Sequence, residues 1–309
     1  MRILVTGGAG FIGSHIADAY LAAGHAVSIL DWEAGKKQAN IAAGVTVHNL
    51  DINDPAVERV FREGKFDVLN HHAAQMSVPV SVKDPILDAT TNILGILRLL
   101  QYATATGVKK VIFASSGGTV YGNTDRQPVT EDLPFDASSP YGVAKVATEL
   151  YLRTWQANHG MRFTALRYAN VYGPRQDAHG ESGVVAIFVE RMLGGGKIVI
   201  HGDGEFLRDY VYVGDVARAS VLALEKGDGE GINIGTGVES SVNTLFRSLK
   251  AITGAPMAEE HGPARPGDVR RSCVAWDKAN RVLGWTPEIA LEVGLRRTVD
   301  WFRGRGLHV

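Results

Sequence analysis

A chain of 309 residues has room for one large or two modest domains, and its 32 Lys and Arg against 33 Asp and Glu leave a formal charge of −1. That balance provides no field to hold a polyanion, so nucleic acid is not an expected partner. The 45% hydrophobic and 21% charged residues are globular proportions, the single Cys273 cannot form an internal disulfide, and no Cys/His cluster has metal-site spacing. No run reaches the roughly 18 apolar residues of a membrane span. The apolar run at residues 3–5 is too short for a secretory signal core, so a cytoplasmic protein without a membrane partner is expected.

Along the chain, β-branched apolar runs at 3–6, 26–31, 45–50, 66–70, 111–115 and 163–168 are short enough to be buried strands. Between them, Ile12, Ile16, Ala19 and Tyr20, and later Ile93, Leu97, Leu100 and Ala103, recur at helical spacing. Continuous apolar strands with helical crossovers predict an α/β fold, a doubly wound parallel Rossmann sheet covered on both faces. After Gly173-Pro174 the alternation fades into shorter, glycine- and arginine-rich segments. The expected division is a dinucleotide-binding domain over 1–173 and a smaller C-terminal substrate-binding lobe over 174–309. The two are partly interleaved, because a strand near 231–235 can return to the main sheet.

Thr6-Gly7-Gly8-Ala9-Gly10-Phe11-Ile12-Gly13 joins the first strand to the first helix, and Gly8, Gly10 and Gly13 have G-x-G-x-x-G spacing. Glycines there let backbone approach a pyrophosphate at a helix N-terminus, whose free N–H groups favour negative charge. Asp31 closes the second strand eighteen positions after Gly13, where a carboxylate would bond the adenosine ribose and repel a 2′-phosphate. The pattern predicts a dinucleotide site, with NAD preferred over NADP. Lys36 and Lys37 would soften that preference unless they form a solvated charge pair. Asp51 and Ile52 either flank the adenine ring or belong to a turn.

Tyr141-Gly142-Val143-Ala144-Lys145 follows Ser138-Ser139-Pro140, which reads as the cap and first turn of a helix. Four-residue spacing stacks the phenol and the ammonium one turn apart on one face. A tyrosine titrates near 10, so a phenolate at neutral pH costs about 4 kcal/mol unless a fixed cation lowers its pKa. Lys145 and an oxidised nicotinamide would supply that charge.

Taken with His72-Ala73-Ala74-Gln75, Asn92-Ile93-Leu94-Gly95, Ser115-Ser116, the stretch from Arg167 to Pro174, Arg208-Asp209-Tyr210-Val211 and Arg265-Pro266-Gly267-Asp268, these motifs resemble the NAD-dependent epimerase/dehydratase family. These are extended short-chain dehydrogenase/reductases, and the likeness within them is to the UDP-glucose 4-epimerases. The resemblance implies Tyr141, Lys145 and Ser116 as catalytic residues, with Thr119 a substitute hydroxyl for Ser116. It also implies that NAD lies against Gly7, Gly10, Phe11, Ile12, Gly13, Asp31, Asp51, Ile52, Ala73, Ala74, Gln75, Asn92, Ser115, Tyr141 and Lys145, with Asn92 supporting the strand that carries Ser116. Asn170, Arg208, Arg265, Asp268 and Ser272 would hold a UDP-sugar, and helices near 92–106 and 141–158 would form a homodimer contact. His71 and His72 read as structural residues.

Residues 117 and 118 separate reactions within the family. Relatives that eliminate water carry an acidic pair there, whereas this chain has Gly117 and Gly118. The implied reaction is epimerisation at C4 of a UDP-sugar through a 4-keto intermediate. The alternatives are another C4-oxidising nucleotide-sugar enzyme, such as a UDP-glucuronate decarboxylase or a 5,6-dehydratase, and a non-catalytic NAD-binding regulator.

Overall fold

The computed structural model describes residues 1–178, 183–264 and 269–305. The first half runs β1 (Arg2–Thr6), α1 (Phe11–Ala22), β2 (Ala26–Leu30), β3 (Thr46–His48), α2 (Val57–Gly64), β4 (Val68–His71), α3 (Val78–Lys83), α4 (Pro85–Ala89), α5 (Gly95–Thr106), β5 (Lys110–Ser116), α6 (Pro140–His159) and β6 (Arg162–Tyr168). The second half runs β7 (Asn170–Tyr172), α7 (Val184–Leu193), β8 (Ile200–His201), β9 (Leu207–Tyr212), α8 (Val213–Leu222), β10 (Glu230–Ile234), β11 (Glu239–Ser241), α9 (Val242–Thr253), β12 (His261–Gly262), β13 (Arg271–Ser272), α10 (Asp277–Leu283) and α11 (Leu291–Gly304).

Seven of these strands pair in the order β10-β6-β5-β4-β1-β2-β3, every pair parallel. The period of two along each strand divides its side chains between two cores. Ile3 and Val5 of β1, and Ile112 and Ala114 of β5, pack with α1, α8 and α10 on one face. Leu4, Val111 and Phe113 pack with α2, α5 and α6 on the other. Strand order reverses between β1 and β4, and a crevice opens there at the carboxyl ends of the strands, which is where open α/β sheets bind ligands.

The strand near 231–235 forms as β10 and joins β6 at the end of this sheet. Beyond it, β9 is flanked by β11 and β13 and also pairs β7, making a small second sheet over a third core built from α7, α9 and α11. Trp285 is fully buried in the first core, while Trp276 and Trp301 are half-buried. Among the described residues no helix is long and apolar enough to cross a membrane.

The periodic segment expected to be regular helix from Asn92 onward begins differently. Residues Thr90–Leu94 form one wide π turn before α5 starts at Gly95. Such single wide turns recur at functional sites because they redirect side chains that a regular helix would align.

Candidate active site

The glycine-rich turn is built by contacts that only glycine permits. Gly7 sits at φ +68°, and a Cβ there would meet the Ala73 nitrogen at 2.7 Å. A Cβ on Gly13 would fall 2.2 Å from the Gly7 carbonyl oxygen. Helix α1 starts at Gly10 with no side-chain cap and no acidic residue in its first turn. Its opening N–H groups are thus left to the groove, an anion-binding arrangement.

That groove, of about 380 Å³, runs across the switch point and is lined by Gly7, Gly10, Phe11, Ile12, Gly13, Asp31, Asp51, Ile52, Ala73, Ala74, Ser115, Tyr141 and Lys145. The buried Asp31 carboxylate accepts the Ala9 N–H at 3.1 Å and the Glu33 N–H at 2.9 Å, so the same group also ties the glycine turn to the end of β2. Lys37 lines the groove but is bound by Glu33 at 2.6 Å, and the Lys36 ammonium lies over the Trp32 ring. A cradle that any Cβ would fill, an uncapped helix start and a carboxylate at the end of β2 together fit a dinucleotide such as NAD.

Helix α6 brings the reacting pair to this groove. The Ser139 hydroxyl caps it by accepting the Gly142 N–H at 3.1 Å, and Pro140 occupies the first turn. The Lys145 ammonium donates to the Ala114 carbonyl at 2.8 Å and stands 5.3 Å from the Tyr141 ring centre. Burial pushes the Lys145 ammonium down to about 8, opposed by the carboxylates of Asp88 and Glu149. Burial, and secondarily Asp88, pushes the Tyr141 phenol above its ordinary value. Phenolate therefore forms here only if positive charge is added beside it.

One turn beyond Lys145, Glu149 is fully enclosed. Its carboxylate accepts Arg167 Nε at 3.0 Å, Arg167 Nη2 at 2.7 Å and the Ser115 hydroxyl at 2.6 Å. Arg167 Nη1 donates to the Tyr121 hydroxyl at 2.6 Å, and Tyr121 donates to Asn233 at 2.8 Å. This chain of bonds locks α6 to the ends of β5, β6 and β10, directly beneath Tyr141 and Lys145.

Not every expected residue reaches the groove. Gln75 and Asn92 stand behind its wall: Asn92 Oδ1 accepts the Gln75 N–H at 2.9 Å, and Asn92 Nδ2 donates to the Gln75 carbonyl at 2.8 Å and to Asp88 at 2.9 Å. Asn92 thus braces the loop after β4, and not β5 as its expected support of the Ser116 strand required, because the wide turn swings its amide toward that loop. Ser115 lines the groove with its hydroxyl committed to Glu149, while Ser116, the next residue of β5, is half-buried and outside the lining.

Asn170 is exposed at the start of β7. Arg208 and Ser272 are register partners on β9 and β13, and the Ser272 hydroxyl lies 3.5 Å from where a Gly118 Cβ would stand. Asp209, one residue after Arg208, is buried and spent on Thr236 rather than on its neighbour. Arg265 and Asp268 lie outside the described residues.

The groove also recruits residues that sequence reasoning left aside: Trp32, His72, Met76, Thr91 and Tyr168. Their shared signal was position, since each lies at or just beyond the carboxyl end of a sheet strand or on the segments that follow.

Over residues 3–235 the chain matches the NAD dependent epimerase/dehydratase family. It is 44% identical over 311 aligned residues to the UDP-glucose 4-epimerase of Mycolicibacterium smegmatis, covering 99% of each chain. Among solved structures it resembles the UDP-glucose 4-epimerase of Thermotoga maritima with UDP-glucose, at TM-score 0.96 and 49% identity over 99% of both chains. It also resembles that of Thermus thermophilus in complex with NAD, at TM-score 0.93 and 45% identity over 98% of this chain and 99% of the other.

Proposed function

The chain belongs to the NAD dependent epimerase/dehydratase family, and from that premise we propose that it epimerises a UDP-sugar at C4, interconverting UDP-glucose and UDP-galactose. The observation that carries this reading is the Tyr141–Lys145 pair, stacked on one face of α6 and opening into the dinucleotide groove. Bound NAD supplies the reversible hydride acceptor that oxidation and re-reduction at C4 require. Tyr141 takes the proton of the 4-hydroxyl and later returns it. Lys145, fixed on the Ala114 carbonyl, holds its charge against the phenolate, and Ser116 at the end of β5 orients the reacting hydroxyl.

The neighbouring segment favours epimerisation over elimination. A side chain at Gly117 would meet Val274 Cγ1 at 2.9 Å and the Arg167 and Tyr168 carbonyls at 3.2 and 3.3 Å, so no acid or base fits there without a shift. The second sheet would supply the sugar-nucleotide site: Arg208 and Ser272 are register partners on adjacent strands, the Ser272 hydroxyl lies beside Gly118, and Asn170 precedes them on β7. Arg265 and Asp268 are proposed as further substrate ligands, and the proposed domains, 1–173 and 174–309, are interleaved, since β7 pairs with the second sheet and β10 with the first.

A homodimer is the proposed assembly. Val82, Ile86, Leu87, Leu94, Val143, Leu150 and Tyr151 are exposed large apolar residues on α3, α4, the turn after it and α6, an apolar surface that a second copy would cover. The proposed compartment is the cytoplasm, in keeping with one buried free cysteine. The test is to incubate the purified protein, with no added cofactor, with UDP-hexoses, UDP-hexosamines and UDP-uronates and to read products by NMR. Conversion of UDP-glucose to UDP-galactose is expected, whereas a decarboxylated or dehydrated product, or no turnover of any sugar, would overturn the reading.

A further inference from the structure

Asp88, on α4, is a carboxylate that the protein encloses almost completely, at 1% exposure. Its Oδ1 accepts Gln75 Nε2 at 2.8 Å and Asn92 Nδ2 at 2.9 Å. Both donors are neutral amides, so neither bond neutralises the charge, and a buried charge left unmatched is costly. The amides are themselves fixed. Gln75 Nε2 also donates to the Ser77 carbonyl at 3.0 Å and Gln75 Oε1 accepts the Ser77 N–H at 2.6 Å, while Asn92 Nδ2 also donates to the Gln75 carbonyl. This knot ties the loop after β4 to α4 and to the wide turn at Thr90–Leu94, and it holds the carboxylate in one place behind the groove wall.

Helix α6 turns its reacting face toward this knot. Tyr141, Lys145 and Thr148 follow at i, i+4 and i+7, one stripe of a helix. At the start of the stripe the Tyr141 N–H donates to the Ser81 hydroxyl of α3 at 3.2 Å, and at its end Thr148 Oγ1 donates to the Asn92 carbonyl at 3.3 Å. Lys145 lies between these two anchors, and α4, which carries Asp88, packs against α6. The titratable groups around Lys145 divide by element. On β4, His71 and His72 are kept neutral by burial, and on β6 burial keeps Tyr168 a neutral phenol. Glu149, on α6 itself, is matched by Arg167 of β6. Asp88 is left as the facing anion that no cation of its own has claimed, and its charge favours the Lys145 ammonium and disfavours a Tyr141 phenolate.

We propose that Asp88 is a positioning residue that acts through Lys145: its carboxylate is the counter-charge of the buried ammonium, held at a fixed place by Gln75 and Asn92. The resting pair of Lys145 and Asp88 is then neutral, which keeps Tyr141 a phenol until further positive charge is placed beside it. This inference rests on the proposed roles of Tyr141 and Lys145.

Asp88→Asn removes the charge and keeps an oxygen for both amide donors, so it separates the charge from the knot. The first readout is thermal melting of cofactor-free protein in a double-variant cycle with Lys145→Met; Lys145→Gln serves in the same cycle should the Met variant not fold. Removing Lys145 leaves Asp88 buried and unmatched, so Asp88→Asn should raise the melting temperature by about 2 °C or more in that background and should not raise it in the wild type. The second readout is the pH profile of kcat for Asp88→Asn alone. Loss of the negative charge eases phenolate formation, so the acid limb should move to lower pH by about one unit. The same change of melting temperature in both backgrounds, or an unmoved acid limb, would leave Asp88 a bond acceptor only and overturn the proposal. The melting cycle uses no substrate, so it still decides the counter-charge if the wild type turned over no UDP-sugar and the reading of the reaction fell.

Discussion

Replacing Arg167 by methionine removes one partner of an ion pair whose members are almost completely enclosed, 4% and 1% exposed at their side chains. Glu149 would then keep only the Ser115 hydroxyl among the bonds to it described above. Breaking one side of a buried pair costs about 3–5 kcal/mol because the remaining charge stays uncompensated. At about 2 °C per kcal/mol for a chain of this length, the melting temperature should drop by about 6–10 °C. Thermal melting followed by circular dichroism at pH 8 should show this gap from wild type. The double variant Glu149→Leu/Arg167→Met, which leaves no lone charge, should recover most of the loss. A single variant within about 1 kcal/mol of wild type, or a double variant no better than the single, would show that the buried pair does not hold α6 in place.

Three further outcomes follow from the site. Tyr141→Phe should lower kcat by about 10²–10⁴-fold while circular dichroism and NAD content stay at wild-type levels, since only the proton-carrying hydroxyl is lost. Gly13→Ala should abolish NAD retention in gel-filtered protein, because its methyl would stand 2.2 Å from the Gly7 carbonyl and force the cradle apart; retention at wild-type levels would contradict this. If the C2 substituent of the sugar passes beside Ser272, whose hydroxyl lies 3.5 Å from the place of a Gly118 Cβ, Ser272→Tyr should selectively lower kcat/KM for UDP-N-acetylhexosamines relative to UDP-hexoses. Equal slowing of both substrate pairs would show that Ser272 does not border the C2 substituent.

The sheet was readable because its strands are buried on both faces and so appear as unbroken apolar runs, and the glycine turn because its spacing reflects close approach of backbone. The Tyr141–Lys145 stack followed from helical period alone. Contacts between distant parts of the chain were not readable. His72 and Tyr168 are 96 residues apart and meet only because β5 lies between β4 and β6. The pairing of Glu149 with Arg167 likewise depends on how α6 lies across the sheet, although continuing the i, i+4 face past Lys145 would have pointed to Glu149. The wide turn at Thr90–Leu94 left no periodic signature, so the direction of the Asn92 amide was invisible.

In the proposed reaction, hydrogen removed from C4 returns to the same carbon within one site. The direct measurement is to supply UDP-[4-²H]glucose to the purified protein in ordinary water, with no added cofactor, and to follow the UDP-galactose by NMR and mass spectrometry. UDP-galactose that retains deuterium at C4, with no reduced cofactor released, is the expected product. Product that has exchanged its C4 label for solvent hydrogen, or turnover that consumes external NAD stoichiometrically, would contradict it.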